Sequence, residues 1–464
     1  MRSTTCINAF QILLLSSFFA LAEDSLPVND TVGSADTAAT VVTNDTVPAA
    51  EPQPATEQQL DADTSFISMA GDCRYPAVCS EGNSLHVTWI VTEGVTSNIY
   101  YLKSTDEGES WSDSRKISNE YGDCYPPTVA ANSGIVHGAW VDYAERVDGE
   151  LYYSRSIDDG ETWEESRILI PDANGSRYPL LSCRGKDVYL VWQDVENKVY
   201  FMASHNQGLT WQKKILVAKI GRHSCYCYPP AIAASRKDLV IVWADLSDDT
   251  WGPQIGINGV PLFKRKNRVI TSVACRKSSD NGRSWSKPQT LSSASISMET
   301  REEIDNPILV SDSTRFFLFW LDRRENMLGE IFYAAFDTRK MKLPLGGKKV
   351  YPIAKRSPKR PTVVFDRFGD IHFTWANYFN SESVISYGKI DQNGTPLREK
   401  CDLTKSPGSY LNPVIARTAS GMLHILWFAV PKENNGWSRI FYKTSMNNGV
   451  TWENQEPKKR NPSQ

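Results

Sequence analysis

The sequence predicts an all-β protein, a seven-bladed β-propeller of four-stranded antiparallel blades, on three observations. A Pro that opens a short strand recurs at Pro76, Pro127, Pro179, Pro230, Pro307, Pro361 and Pro413. A Trp inside a strongly apolar strand follows 13 or 14 residues later, at Trp89, Trp140, Trp192, Trp243, Trp320, Trp375 and Trp427. The Trp-to-Trp spacings are 51, 52, 51, 77, 55 and 52. Units of that length, built of short β-rich runs, match propeller blades. A six-bladed ring is the alternative count.

The N-terminus reads as a signal peptide over residues 1–22. Arg2 supplies the positive start, Ile12 to Leu21 a mostly apolar run, and Ala20-Leu21-Ala22 a small-x-small cleavage site before Glu23. The run is too short for a comfortable bilayer span, and no other stretch is apolar enough. Residues 23–62 are rich in Thr, Ala, Asp, Val and Pro and hold no Lys or Arg. That composition cannot build a core and predicts a disordered acidic linker.

The propeller is expected over 63–456, with a C-terminal tail at 457–464. In each unit strand A follows the Pro and strand B carries the Trp, as in Leu85-His86-Val87-Thr88-Trp89. Strand C is aromatic, as in Ile99-Tyr100-Tyr101, and a tight turn leads to strand D, as in Arg115-Lys116-Ile117. Alternation and β-branched residues favour strands throughout. Phe66-Ile67-Ser68, followed by Gly71-Asp72-Cys73, matches Lys116-Ile117-Ser118, followed by Gly122-Asp123-Cys124. The first ordered strand therefore reads as a strand D without its own blade, placed to complete the last blade and leave no open sheet edge.

Composition narrows the function classes. A formal net charge of −3 argues against a nucleic-acid binder. Cys6 leaves with the signal peptide, and eight cysteines remain: Cys73, Cys79, Cys124, Cys183, Cys225, Cys227, Cys275 and Cys401. An even count in an exported chain favours disulfides over metal binding. Sequons begin at Asn29, Asn44, Asn174 and Asn393, acceptors for glycans if the source is eukaryotic.

The C–D turn repeats a pattern. Ser104 to Trp111 reads S-x-D-x-G-x-x-W, and the pattern returns at Ser156–Trp163 and Ser278–Trp285. Asn replaces Asp in Ser204–Trp211 and Ser445–Trp452, while Asp337 and Asp391 are acids that remain in blades five and six. Asp or Asn can accept hydrogen bonds from the turn backbone, Gly can supply positive φ, and Trp is placed to plug the gap between strands. These five copies resemble the Asp-box (BNR) repeat of the sialidase superfamily, over about residues 63–456. The box is a structural turn, so none of its residues is a catalytic candidate. The family includes sialidases, lectins, sortilin-type receptors and photosystem assembly factors, so the resemblance implies the fold rather than a function.

The sialidase pattern implies an Arg for the substrate carboxylate, a general acid and a Tyr nucleophile. Arg74, in Cys73-Arg74-Tyr75-Pro76, stands at the place of the first. The segment expected to hold the acid contains only Glu93, and Tyr378 is the candidate Tyr. The missing Asp and the seven units depart from six-bladed sialidases.

The B–C and D–A loops share one propeller face. The longest insertion, Leu246 to Arg268, is a B–C loop of blade four with Trp251 and the basic Lys264-Arg265-Lys266. The D–A connection Ser292 to Asp305 lies beside it. Tyr75, Tyr125, Tyr178 and Tyr228 precede strand-A prolines on that face. Asp142, Asp194, Asp245 and Asp322 stand two residues after strand-B tryptophans, Asn377 takes that place in blade six, and Arg323 follows Asp322. Tyr rings suit sugar stacking and the acids suit sugar hydroxyls. The same features repeated in every blade also read as blade-to-blade structure. Clustered carboxylates are also the ligand type for Ca²⁺. The expected function is a secreted binding module for a glycan or glycoprotein. The rivals are a divergent sialidase-like glycoside hydrolase and a scaffold that recognises protein.

Overall fold

The computed structural model describes residues 66–67, 71–119, 122–220, 229–235, 238–248, 251–255, 261–265, 268–297, 307–312, 314–322, 329–337, 347–351, 356–379, 381–405, 408–430, 436–454 and 458–459. Seven four-stranded antiparallel sheets follow one another along the chain. Their innermost A strands are Asp72–Glu81, Thr128–Asn132, Arg177–Arg184, Ala231–Ser235, Ile308–Ser311, Ser357–Phe365 and Tyr410–Arg417. Each sheet runs A-B-C-D outward, so the expected seven-bladed ring is the observed one. Among the described residues no helix is long and apolar enough to cross a membrane.

The core lies between blades, in seven clusters that each mix two neighbouring blades. Every strand-B Trp belongs to the seam with the preceding blade. Trp140 of blade two packs with Ile90 and Tyr101 of blade one, and Trp89 of blade one with Leu426 and Phe428 of blade seven. The reason is alternation: with Trp facing one neighbour, the residues beside it face the other.

The ring closes as expected from the N-terminal edge. Ile67 N donates to Ile440 O at 3.1 Å, as Ile117 N donates to Ile99 O at 2.9 Å within blade one. Cys73 N donates to Ser438 O at 3.0 Å, as Cys124 N does to Ser97 O at 3.0 Å. The C-terminus contributes Glu453–Asn454 to the same blade. Past the expected boundary at 456, Lys458–Lys459 pairs in parallel with Ser110–Trp111 of blade one. Ile67 and Lys458–Lys459 thus both fasten the seam between blades seven and one.

The repeated C–D turns are closed hydrogen-bond units. In blade two, Asp158 Oδ1 accepts from Thr162 N (2.9 Å) and Oδ2 from Thr162 Oγ1 (2.6 Å), while Ser156 Oγ accepts from Gly160 N (2.7 Å). The Trp acts differently from its expected role. It plugs the gap between blades: Trp163 packs edge-on against Tyr101 of blade one at 4.8 Å, and Trp211 against Tyr153 of blade two at 5.2 Å. Gly160 (φ 85°) is required twice over, because a Cβ there would lie 1.8 Å from Tyr101 Oη. Blade six keeps more of the turn than Asp391 alone, since Gly394 (φ 77°) approaches Tyr333 of blade five in the same way.

At four of the seven seams a Tyr is held by a histidine that composition did not single out. His86 Nδ1 meets Tyr101 Oη at 2.8 Å, His137 meets Tyr153 at 2.8 Å, His372 meets Tyr387 at 2.7 Å and His424 meets Tyr442 at 2.6 Å. All four rings are buried. Burial drives the pKa of His86, His137 and His372 down to about 4 and that of His424 to about 3.

The expected disulfides are not found among the described cysteines. Burial raises the thiols of Cys79, Cys124, Cys183 and Cys275, which pack as small apolar groups; Cys225 and Cys227 lie outside the described residues.

Candidate functional site

The B–C and D–A face differs from blade to blade at one backbone position. Among the described residues, strand A of four blades carries a bulge at an X-Pro pair, where register shifts between Arg74 and Ala77, Arg177 and Leu180, Lys359 and Thr362, and Leu411 and Val414. Pro has no N–H to give the ladder, so pairing breaks there. The residue before each Pro is left-handed: Tyr75 (φ 53°), Tyr178 (φ 57°), Arg360 (φ 49°) and Asn412 (φ 48°). A pre-proline residue prefers extended backbone, and a non-glycine residue in the left-handed region costs about 1–3 kcal/mol. Strain of this kind persists where neighbouring structure enforces it, and it clusters at functional sites.

The strained side chains converge. The Arg360 guanidinium of blade six lies 5.7 Å from the centre of the Tyr178 ring of blade three, so two distant blades meet at the channel mouth. Burial raises the Tyr75 hydroxyl pKa, with Tyr178 adding to the rise and the Arg360 and Arg74 charges opposing it. The Tyr75 ring packs on Phe428 at 5.2 Å, and Lys359 Nζ lies 5.1 Å over Tyr378. Arg360 itself is exposed. In strand B of blade six, Asn377 is 1% exposed, and neither its Nδ2 nor its Oδ1 has a hydrogen-bond partner. A buried amide left open costs about 1–3 kcal/mol.

The four tyrosines expected as one ring divide. Tyr75 and Tyr178 occupy the strained bulges. Tyr125 precedes a double proline instead; its N–H donates to Val141 O at 2.8 Å and its ring packs on Tyr143 at 4.9 Å. Tyr228 lies outside the described residues, as does Arg323.

Two of the four expected acids are loop clamps. Asp142, 5% exposed, accepts from Asp123 N and Ala144 N, both at 2.9 Å, and from the Cys124 thiol at 3.4 Å. Asp194, 1% exposed, accepts from Lys198 N at 2.9 Å and Asn174 Nδ2 at 3.1 Å. Asp194 also lines a cavity of about 260 Å³ with Trp192, Tyr200 and Lys214. Asp245 and Asp322 stand near or at the ends of their B strands, opposite Ser272 and Glu330. The expected Leu246–Arg268 loop contains a two-stranded hairpin, Trp251–Ile255 with Pro261–Arg265, in which Trp251 pairs with Arg265. Among the described residues no group of three His, Cys, Asp or Glu side chains is placed to hold a metal ion.

Each of the three sialidase-like candidates has its own surroundings. Arg74 Nη2 is ion-paired with Asp72 Oδ2 at 2.5 Å, and Asp72 Oδ1 accepts from Ser438 N at 2.8 Å. The guanidinium therefore already faces a carboxylate of its own chain. Its Nε is buried and without a partner. Glu93 is exposed at the B–C turn of blade one, and Tyr378 lies in blade six beneath Lys359.

No protein-family model and no curated protein matches the chain. Solved structures do. The chain is 13% identical to a polysaccharide lyase, the PL25 ulvan lyase, with a TM-score of 0.53, over 81% of this chain and 94% of that one. The same lyase bound to -[GlcA(1-4)Rha3S]- aligns at 12% identity and a TM-score of 0.51, over 82% and 94%. The NanB sialidase of Streptococcus pneumoniae aligns at 11% identity and a TM-score of 0.46, over 72% and 70%. At such identities the likeness is one of fold.

Proposed function

We propose that this chain is a secreted glycan-binding propeller of the Asp-box group, which takes an acidic glycan at its channel mouth. The observation that carries the reading is the Tyr178–Arg360 pair, two strained residues from distant blades held 5.7 Å apart. Tyr75 and Tyr178 offer aromatic faces to sugar rings, and the exposed Arg360 carries a permanent positive charge that attracts a carboxylate or sulfate. The solved ulvan lyase bound to -[GlcA(1-4)Rha3S]- gives a glycan precedent on a similar fold. Binding is favoured over catalysis because Asp72 occupies Arg74. Secretion rests on the signal-peptide pattern of residues 1–22.

The test is a glycan array of acidic and neutral oligosaccharides probed with the purified secreted chain, with a fluorogenic sialoside added to the same sample. Retention of acidic glycans, weakened about tenfold or more by R360Q, supports the proposal. Turnover of the sialoside that R74A abolishes would make the chain a hydrolase. Silence in both would turn attention to a protein partner.

A further inference from the structure

We infer that Asn393, and not Asn174, is the residue of the folded propeller that carries an N-linked glycan. The inference goes beyond the ligand reading and needs only export through a eukaryotic secretory route. The sequons at Asn29 and Asn44 lie outside the described residues.

The two described sequons differ in what their side chains already do. Asn174 donates through Nδ2 to Asp194, an acid that is itself buried. Ser176, the hydroxyl of that sequon, is 0% exposed, and its Oγ donates to Ala173 O at 2.5 Å. Both side chains turn inward to close the connection between blades two and three. A sugar on Asn174 would have to stand where this loop meets the B–C turn, against the Asp194 carboxylate that Nδ2 already contacts.

Asn393 sits in the turn Asp391–Thr395, where Asp391 Oδ1 accepts from Asn393 N at 2.8 Å and Thr395 N at 2.7 Å. These bonds shape the backbone and leave Asn393 and Thr395 exposed. Among the described residues the amide makes a long side-chain contact, Nδ2 to Asp391 Oδ2 at 3.5 Å. Next to it lies apolar surface. Gln392 Nε2 donates to Phe368 O at 2.9 Å, which brings the neighbouring turn alongside, and Phe368 is 65% and Leu397 49% exposed. The apolar face of a first N-acetylhexosamine would cover such a patch. The modification forms a bond from Asn393 Nδ2 to the anomeric carbon of a lipid-pyrophosphate-linked oligosaccharide. The bond from that carbon to the pyrophosphate breaks, the lipid pyrophosphate leaves with the electron pair, and the amide nitrogen gives up one proton. The sugar would stand on the C–D turn side, away from the channel mouth proposed to take ligand.

The experiment secretes the chain from eukaryotic cells, with a host signal sequence in place of residues 1–22, and removes glycans enzymatically in heavy-oxygen water before peptide mapping. Asn393 is expected as labelled Asp in most molecules, with the Asn174 peptide unlabelled. T395A should abolish the label, T395S should keep it, and N393Q should leave glycan-array binding unchanged. Label at Asn174 with none at Asn393, or label at neither, overturns the inference. Failure of the array reading leaves the peptide map unaffected, so the two proposals fail separately.

Discussion

The two faces of the ring obey different rules. On the C–D turn face the five box-bearing units repeat one closed pattern of bonds, with Ser accepting from the Gly N–H. Asp158 and Asp280 both accept from the residue four positions on, through N–H and hydroxyl alike. On the opposite face one backbone position is reused with different side chains: Tyr75, Tyr178, Arg360 and Asn412 share a left-handed pre-proline site. Repetition with the same residues holds blades together. Repetition of a strained backbone with varied residues presents chemistry, and the contrast can be broken by experiment at both ends.

The largest effect of a single substitution is expected on the turn face. G160A forces a side chain onto a backbone at φ 85° and a Cβ to within 1.8 Å of Tyr101 Oη. It should cost about 3 kcal/mol by urea unfolding, from left-handed strain plus overpacking. A loss below about 1 kcal/mol would show that the seam yields easily.

Acid should act next. The four seam histidines are held neutral in the fold, near pKa 4 or 3, against about 6.5 when unfolded. The unfolded chain takes up protons first, so their contribution is complete above pH 6.5 and is lost as pH falls towards 4. Each step of this kind is worth about 3 kcal/mol. The turn acids act lower: hydrogen bonds from Ser284 and Ser278 hold Asp280 at about 2, so its contribution survives until pH drops below the usual carboxylate value of 3.8. A melting temperature that is flat between pH 7 and 4.5 would contradict the histidine account. H137F should flatten part of the slope.

D194N should cost about 1–2 kcal/mol, because one buried clamp bond is weakened and another reversed. It should leave glycan binding intact, since that carboxylate serves its own loop. Lost binding with unchanged stability would return Asp194 to the ligand site, together with the cavity it lines.

The smallest stability change is expected where binding should change most. Tyr178→Gly relieves left-handed strain, so stability should hold or rise by up to about 1 kcal/mol.

Much of this contrast was legible in the sequence, and its limits have physical causes. Pro and Trp periodicity marks strands, because each blade needs the same break and the same seam-filling ring. Ile67 could be placed in blade seven because its neighbours match those of Ile117. The sign of φ before Pro could not be read, since that residue ordinarily prefers extended backbone. Tyr125 and Tyr178 thus look alike, although the second Pro after Tyr125 marks the difference. The seam histidines were readable in principle: His86, His137, His372 and His424 each stand three residues before a strand-B Trp. Asp142 and Asp194 could not be told from ligand-facing acids, because their backbone partners lie on loops of irregular shape.

The strained residues at the channel mouth are proposed to serve binding rather than stability. The most direct measurement is affinity for acidic glycans alongside the melting temperature of Tyr178→Gly. The account predicts binding weakened about tenfold or more with an equal or higher melting temperature. Unchanged binding with a sharply lower melting temperature would contradict it and make the Tyr178–Arg360 pair a lock that holds the ring together.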